Sequence, residues 1–317
     1  MKEVEAGRFT VLCEAGVFPT YFVDKKEGTY TDFSTGRCGS TEETETAVPD
    51  NKDKRIIKIN EEALKIFQKK RKEVSAYCKK RNLSVDDQER FGIGASTDVL
   101  EELRKLGYTE EEVTRAGLAK KKEDGTVTDI FWNRIMFPIR DKDGDVVGFG
   151  GRVTDANAKT CKYLNTPETE VFKKRSLLYM YDVAVKADCN AYILCEGYMD
   201  VITMHKNGFI NTVASMGTSL TPEQIKLLKT KPRIYVMFDS DEAGVKAAKR
   251  NVPSLLKEGF SVRVANLAPY KDPDEMLSSE GKEKMIEKLK NSTEGKEFLK
   301  ETYTSGDSQD IIEAILR

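Results

Sequence analysis

The sequence is poor in the residues that most metal and nucleophile chemistry draws on. Among 317 residues there is one histidine, His205, and one tryptophan, Trp132. Cysteines stand at 13, 38, 78, 161, 189 and 195, and no two share a CxxC spacing. A zinc ribbon needs four clustered Cys or His ligands. This chain cannot build one by itself, so no zinc is expected and the cysteines read as scattered reduced thiols. His205 falls mid-helix, where packing is its expected role. No apolar run approaches the roughly 20 residues needed to cross a bilayer, and the N-terminus lacks the basic-then-apolar layout of a signal peptide. Cytoplasmic residence with no membrane partner is the default expectation. Charge of one sign is missing too: 52 Lys and Arg face 53 Asp and Glu. Any nucleic-acid surface must therefore come from local segregation of the basic residues.

What is there is enough chain for two or three domains, each with its own core. Residues 1–50 differ from the rest. FPTYFVDKKEGTYTDFSTGRCG alternates apolar and polar residues around two glycine turns, which predicts a small antiparallel hairpin or meander. Residues 41–54 are polar, carry Pro49-Asp50, and read as a linker. From Ile59 the pattern turns helical, with Ala63, Ile66, Phe67, Val74, Tyr77 and Cys78 roughly on one face. Further helices are expected over 98–106 and 109–116, the latter opened by a Thr109/Glu112 capping box. DIFWNRIMFPIR at 129–140 and VVGFGGRV at 146–153, joined by Asp143-Gly144, predict a hairpin. Its glycines at 148, 150 and 151 allow close approach of a ligand or neighbouring strand. Residues 162–174 read as a long loop leading to a short helix.

The chain is organised around residues 191–274. Apolar runs at 192–195, 210–214, 234–238 and 260–265 alternate with helical stretches, which implies a parallel, helix-flanked sheet. Ligands bind beyond the carboxyl ends of such strands, and those ends carry Glu196, Asp239 with Asp241, and Asp272 with Asp274. Asp200 lies four residues past Glu196. Hard oxygen donors in polar loops suit magnesium, and two such ions form the usual phosphoryl-transfer clamp. Helix capping by Asp239 or Asp241 is the simpler reading of each acid taken alone. Arg134, Arg152, Lys162, Lys173 and Lys174 gather in the middle segment, where arginine suits bidentate phosphate contact.

EGYMD at 196–200 with DSD at 239–241 resembles the metal-binding signature of the TOPRIM fold. RIMFPIRDKDGDVVGFGGRV at 134–153, KYLNTPETEVF at 162–172, ASMGTSLT at 214–221, DEAGVKAAKR at 241–250 and KDPDE at 271–275 together resemble the catalytic core of bacterial DnaG-type DNA primases, from about Ile59 to Leu277. The resemblance implies an α/β protein of four parts. These are a β-rich zinc-ribbon remnant without zinc ligands over 1–50, a mixed α/β subdomain over 51–185, a TOPRIM subdomain over 186–275 with a Rossmann-like parallel sheet, and a trimmed helical part over 276–317. Cys13 and Cys38 fall near where ribbon ligands stand. No helicase-binding domain is expected.

It further implies a nucleotidyltransferase that makes RNA primers on a single-stranded DNA template from ribonucleoside triphosphates, leaving an RNA–DNA hybrid. A replicative helicase or a zinc-ribbon protein in trans are the implied partners. Glu196, Asp239 and Asp241 become the catalytic acids. With Asp200, Asp272 and Asp274 they hold two or more Mg2+ or Mn2+ ions. Arg134, Arg152, Lys162, Asn165 and Lys174 become nucleotide or template contacts. Two departures stand out: Phe131-Trp132 where the family run begins Phe-Arg, and Lys174-Arg175 where it has Lys-Gly. A TOPRIM nuclease and a non-catalytic nucleic-acid-binding derivative remain as alternatives.

Overall fold

The computed structural model describes residues 53–302, apart from 156, 157 and 218, together with five strands between residues 2 and 40. The chain forms two compact units, Met1–Lys52 and Asp53–Arg317. The first is a five-stranded antiparallel meander of β1 (Lys2–Ala6), β2 (Phe9–Cys13), β3 (Pro19–Asp24), β4 (Thr29–Asp32) and β5 (Arg37–Ser40), each paired with the next. The meander expected from its alternation is present. Its side chains, including Cys13 and Cys38, lie outside the described residues, as do most of the expected linker and the tail beyond Thr302.

The second unit contains an antiparallel sheet and a parallel one. It begins with α1 (Lys54–Lys69), whose first turn is closed by Asp53 Oδ1, which accepts the backbone N–H groups of Arg55 and Ile56 at 2.9 and 3.2 Å. Of its strands, β6 (Gly94–Ala95), β9 (Arg134–Arg140), β10 (Val146–Val153) and β11 (Tyr163–Asn165) make one sheet in the order β11-β10-β9-β6; β7 (Ala119–Lys121) and β8 (Val127–Asp129) form a separate ribbon. The apolar stripe of α1 covers one face of the larger sheet, with the Phe67 ring edge-on to Phe149 at 5.1 Å. The expected hairpin is β9–β10. The expected loop at 162–174 is corrected in part: Tyr163–Asn165 pairs with Gly150–Arg152 as a third strand. Flanking polar residues and Pro167 concealed so short an edge strand.

The parallel sheet follows. β12 (Ala191–Cys195), β13 (Thr212–Ala214), β14 (Arg233–Val236), β15 (Ser261–Val264) and β16 (Thr293–Glu294) stand in the order β13-β12-β14-β15-β16, with only β16 antiparallel. Between them run α2 (Tyr198–Lys206), α3 (Glu242–Lys257) and α4 (Pro273–Lys290). This is the helix-flanked sheet implied by the alternation of apolar runs.

The two sheets share a core. Ile135, Phe137 and Ile139 of β9 belong to one buried cluster with Ile193 and Cys195 of β12, Val201 and Met204 of α2, and Met276 and Met285 of α4. Residues on either side of position 185 thus pack as one body. Among the described residues no helix is long and apolar enough to cross a membrane.

His205, 1% exposed, is the packing residue expected: its Nε2–H donates to the Thr212 carbonyl at 2.7 Å, while Nδ1 is buried without a partner. Burial lowers its pKa to about 4. A lowered histidine pKa stabilises the fold fully above the unfolded value of about 6.5, and that contribution is lost as pH falls towards 4. The stability gap between wild type and His205→Gln is expected to shrink by roughly 2–3 kcal/mol between pH 7 and 4.5. Urea denaturation at both pH values measures it; a gap that stays constant rejects the assignment.

Candidate active site

Strand β12 ends at Cys195, and the next two residues form a tight link to α2. Gly197 is the N-cap, and its N–H donates to Asp200 Oδ2 at 3.0 Å. Glu196 is left at the strand end, where its Oε1 accepts the N–H of Asp239 at 3.2 Å, tying the ends of neighbouring strands together. The DSD turn is closed on its far side. Ser240 donates through its N–H to Lys271 O at 2.8 Å and through Oγ to Tyr270 O at 2.6 Å. Asp241 caps α3 by accepting Gly244 N–H at 3.0 Å, and Asp272 caps α4 by accepting Glu275 N–H at 2.8 Å. Capping and site-building use the same residues.

These ends open onto a cavity of about 430 Å³. One wall carries Glu196, Asp200, Asp239 and Asp272; around them stand Arg81, Arg152, Lys162, Lys174 and Lys271. Burial raises Asp239 to about 6, helped by the nearby charges of Glu196, Asp272 and Asp241. Burial likewise lifts Glu196, and it lifts Asp200 well above the carboxylate range, with Asp239 and Asp272 adding to the effect. Lys162 is lowered by burial and by the charge of Arg152. Like charges crowd on each side, the condition of a site waiting for ions of both signs. Among the described residues no three His, Cys, Asp or Glu side chains converge to enclose an ion. The donor set fits instead an ion that takes one or two carboxylates and completes its shell with water and phosphate.

Of the acids expected from the sequence, Glu196, Asp200, Asp239 and Asp272 line the cavity. Asp241 stands behind them, near enough for its charge to raise both Glu196 and Asp239. Asp274 is turned away: one oxygen pairs with Arg81 and the other accepts Thr203 Oγ1–H at 2.6 Å. Of the bases, Arg152, Lys162 and Lys174 line the cavity with Asn165. Lys174 keeps its place despite the Arg175 departure. Arg134 does not reach the cavity. It is 5% exposed, and its guanidinium donates to the carbonyls of Gly151 and Cys161 at 3.1 Å. It fastens the loop leading to Lys162, a positioning duty that a one-dimensional motif does not distinguish from ligand contact.

Residues missed by the sequence reading are Arg81, Lys271, Tyr163 and Tyr198. Lys271 begins the KDPDE motif and was visible there. Arg81 had no local signal, because its partner Asp274 is 193 positions away. The Arg152 guanidinium lies 4.8 Å from the Tyr77 ring centroid and 5.6 Å from that of Tyr163, two cation–π contacts to a residue that lines the cavity. Tyr198 lies beneath: its OH donates to Asn165 Oδ1 at 2.6 Å, and its ring stacks on Phe137 at 5.3 Å. Gly150 makes room for it, since a Cβ there would lie 2.4 Å from the ring.

Most of the described chain resembles known proteins. Residues 62–185 match the family described as DNA primase catalytic core, N-terminal domain, and residues 193–277 match the Toprim-like family. The chain is 37% identical over 264 residues to the DNA primase of Clostridium acetobutylicum, covering 77% of this chain and 44% of that one. It thus spans less than half the length of this curated relative. The structure of a DnaG primase catalytic domain bound to single-stranded DNA superposes with a TM-score of 0.69 at 32% identity, covering 78% of this chain and 82% of that one. The Aquifex aeolicus primase, in its zinc-binding and RNA polymerase domains, superposes with a TM-score of 0.73 at 26% identity, covering 99% of this chain and 86% of that one.

Two substitutions test the geometry. A Cβ on Gly244 would lie 2.0 Å from Asp239 O, so Gly244→Ala is expected to displace the DSD turn at a cost of roughly 1–3 kcal/mol in urea denaturation. Arg81→Met leaves the Asp274 carboxylate, with its side chain 7% exposed, without its cation. Arg81 is itself 30% exposed, so the expected loss is about 2 kcal/mol, below that of a fully buried pair. Asp274→Asn should largely remove the effect of Arg81→Met; independent effects would reject the coupling.

Proposed function

The chain belongs to the DnaG-type primase catalytic-core family, and from that membership we propose that it is a nucleotidyltransferase making short RNA primers on single-stranded DNA. The observation that carries the reading is the division of one cavity between four carboxylates and five cations. A hydrolase needs acids to hold its ions. A polymerase also needs cations for the triphosphate it consumes and the strand it copies. In this reading Arg152, Lys162 and Lys174 bind triphosphate or template phosphates, and Arg81 and Lys271 extend the same basic surface. Asn165, held by Tyr198, presents an amide to the nucleotide.

Glu196 and Asp239 are the principal ligands for Mg2+ or Mn2+, with Asp200 and Asp272 beside them and Asp241 tuning their charge from behind. Bound there, such ions supply the activation of the attacking 3′-hydroxyl and the charge neutralisation of the departing pyrophosphate. The protein's own part is placement. The strand ends fix the carboxylates, and burial keeps solvent from diluting their field. Residues 1–50 are read as a counterpart of a zinc-binding domain without zinc. Residues 51–185 carry most of the basic wall and 186–275 the TOPRIM acids, and the described residues beyond 275 are mainly helical. A replicative helicase or a zinc-ribbon protein in trans is the partner that would deliver template. Hydrolysis of nucleic acid by the same acids is the second reading, favoured by the TOPRIM match alone.

The test is incubation with single-stranded DNA, labelled ribonucleotides and Mg2+ or Mn2+. Short RNA products are expected, falling about 100-fold or more in Asp239→Ala. Template binding by that variant should persist and weaken steeply with salt. Cleavage of the DNA instead of synthesis rejects the reading in favour of a nuclease. Binding without either product, with helicase present, favours a non-catalytic derivative.

A further inference from the structure

One buried side chain outside the cavity joins two parts of its wall. Gln224, 2% exposed, sits in the short helix Pro222–Leu228. Its Nε2 donates to Leu177 O at 2.8 Å, Ser215 O at 3.2 Å and Lys174 O at 3.4 Å. Its Oε1 accepts Thr221 N–H at 3.1 Å, so the amide is fully used. The acceptors belong to two separate stretches: the turn Lys174–Ser176 with Leu177, and the residues that follow β13. Thr221 reinforces the link by donating its hydroxyl to Arg175 O.

Both stretches lead into the cavity. Met216 and Gly217 line it beside Lys174. Met216 has φ +57°, a left-handed conformation that a side chain rarely adopts unless its surroundings impose it. Ser215 Oγ, donating to Gly217 O at 2.6 Å, closes the turn from within, and Gln224 anchors it from behind. Lys174 Nζ lies 4.0 Å from where a Cβ on Gly217 would be, so the ammonium rests against the turn.

We infer that Gln224 is a positioning residue: it holds the Lys174 backbone and the Met216–Gly217 turn together, so that the ammonium and the turn present one surface to the triphosphate of the incoming nucleotide. This rests on the reading of the cavity as a nucleotide site. Gln224 touches no substrate and acts through Lys174. A residue that served only to cap its helix would alter stability and leave Lys174's contribution to binding untouched.

A double-mutant cycle separates the two roles, with Mg·ATP as the probe and its binding followed by calorimetry. Gln224→Leu should weaken binding about tenfold when Lys174 is present and less than about twofold in the Lys174→Ala background. If Gln224→Leu does not fold, Gln224→Asn replaces it: the shorter amide keeps a polar group in the site and withdraws it from the carbonyls. Losses that multiply across the cycle overturn the inference, as does wild-type protein that binds no Mg·ATP. RNA synthesis is assayed separately. Coupled binding without RNA product, with helicase present, rejects the primase reading and keeps Gln224 in its role. Independent losses alongside RNA product reject Gln224's role alone.

Discussion

One tyrosine ring that lines the cavity also bridges the two sheets that form it. Tyr198, the first residue of α2, stacks on Phe137 with the planes 3° apart and meets Tyr179 edge-on at 4.7 Å. Gly150 of β10 admits the ring where a side chain would collide with it. The antiparallel sheet, which supplies Arg152 and Asn165, is thereby seated against the strand ends that supply Glu196 and Asp239. Burial of an aromatic surface of this size is among the larger local contributions to a core. The hydroxyl contributes as well, since its bond to Asn165 fixes a polar group at the cavity rim.

Around that joint the electrostatics are arranged by separation more than by pairing. Asp274 is neutralised by Arg81 inside the protein. The acids facing the cavity accept backbone N–H groups: Asp200 from Gly197, Glu196 from Asp239, Asp272 from Glu275. Backbone donors orient a carboxylate without cancelling its charge, so its field stays directed at the cavity. Arg152 is treated in a matching way. Two aromatic rings hold its guanidinium, and its buried Nε and Nη1 have no hydrogen-bond partner. Apart from Arg81, which pairs with Asp274, both walls keep their charge for what enters.

The sequence showed the sheet and its acids well because both follow local rules. An apolar run that ends in Glu-Gly or Asp-Ser-Asp is a strand followed by a turn, whatever surrounds it. The hairpin at 134–153 and the Thr109/Glu112 cap, found as a reciprocal capping box, were legible for the same reason. Side-chain direction was not. Arg134 and Arg152 lie on paired strands, Arg152 opposite Ile135 and Arg134 opposite Val153, yet one is spent on carbonyls and the other faces the cavity. Asp272 and Asp274 divide similarly across a helix start. Such choices depend on partners distant in the chain, Arg81 and Cys161 among them, which no local pattern records. The strand at Tyr163–Asn165 was hidden for a related reason: three residues carry too little periodicity to announce a pairing made by the glycine edge of β10.

The Gly150–Tyr198 contact also constrains how the chain can change over generations. Any larger residue at 150 collides with the ring while Tyr198 remains, whereas a smaller residue at 198 leaves only a void between the sheets. A void weakens a fold and can be tolerated by a stable one, but a clash against a ring packed between Phe137 and Tyr179 forces the interior to shift. The two mutational orders are therefore unequal. A lineage leaves this arrangement by losing the ring first and filling the space second, and until the ring is lost, position 150 has no accessible alternative to glycine.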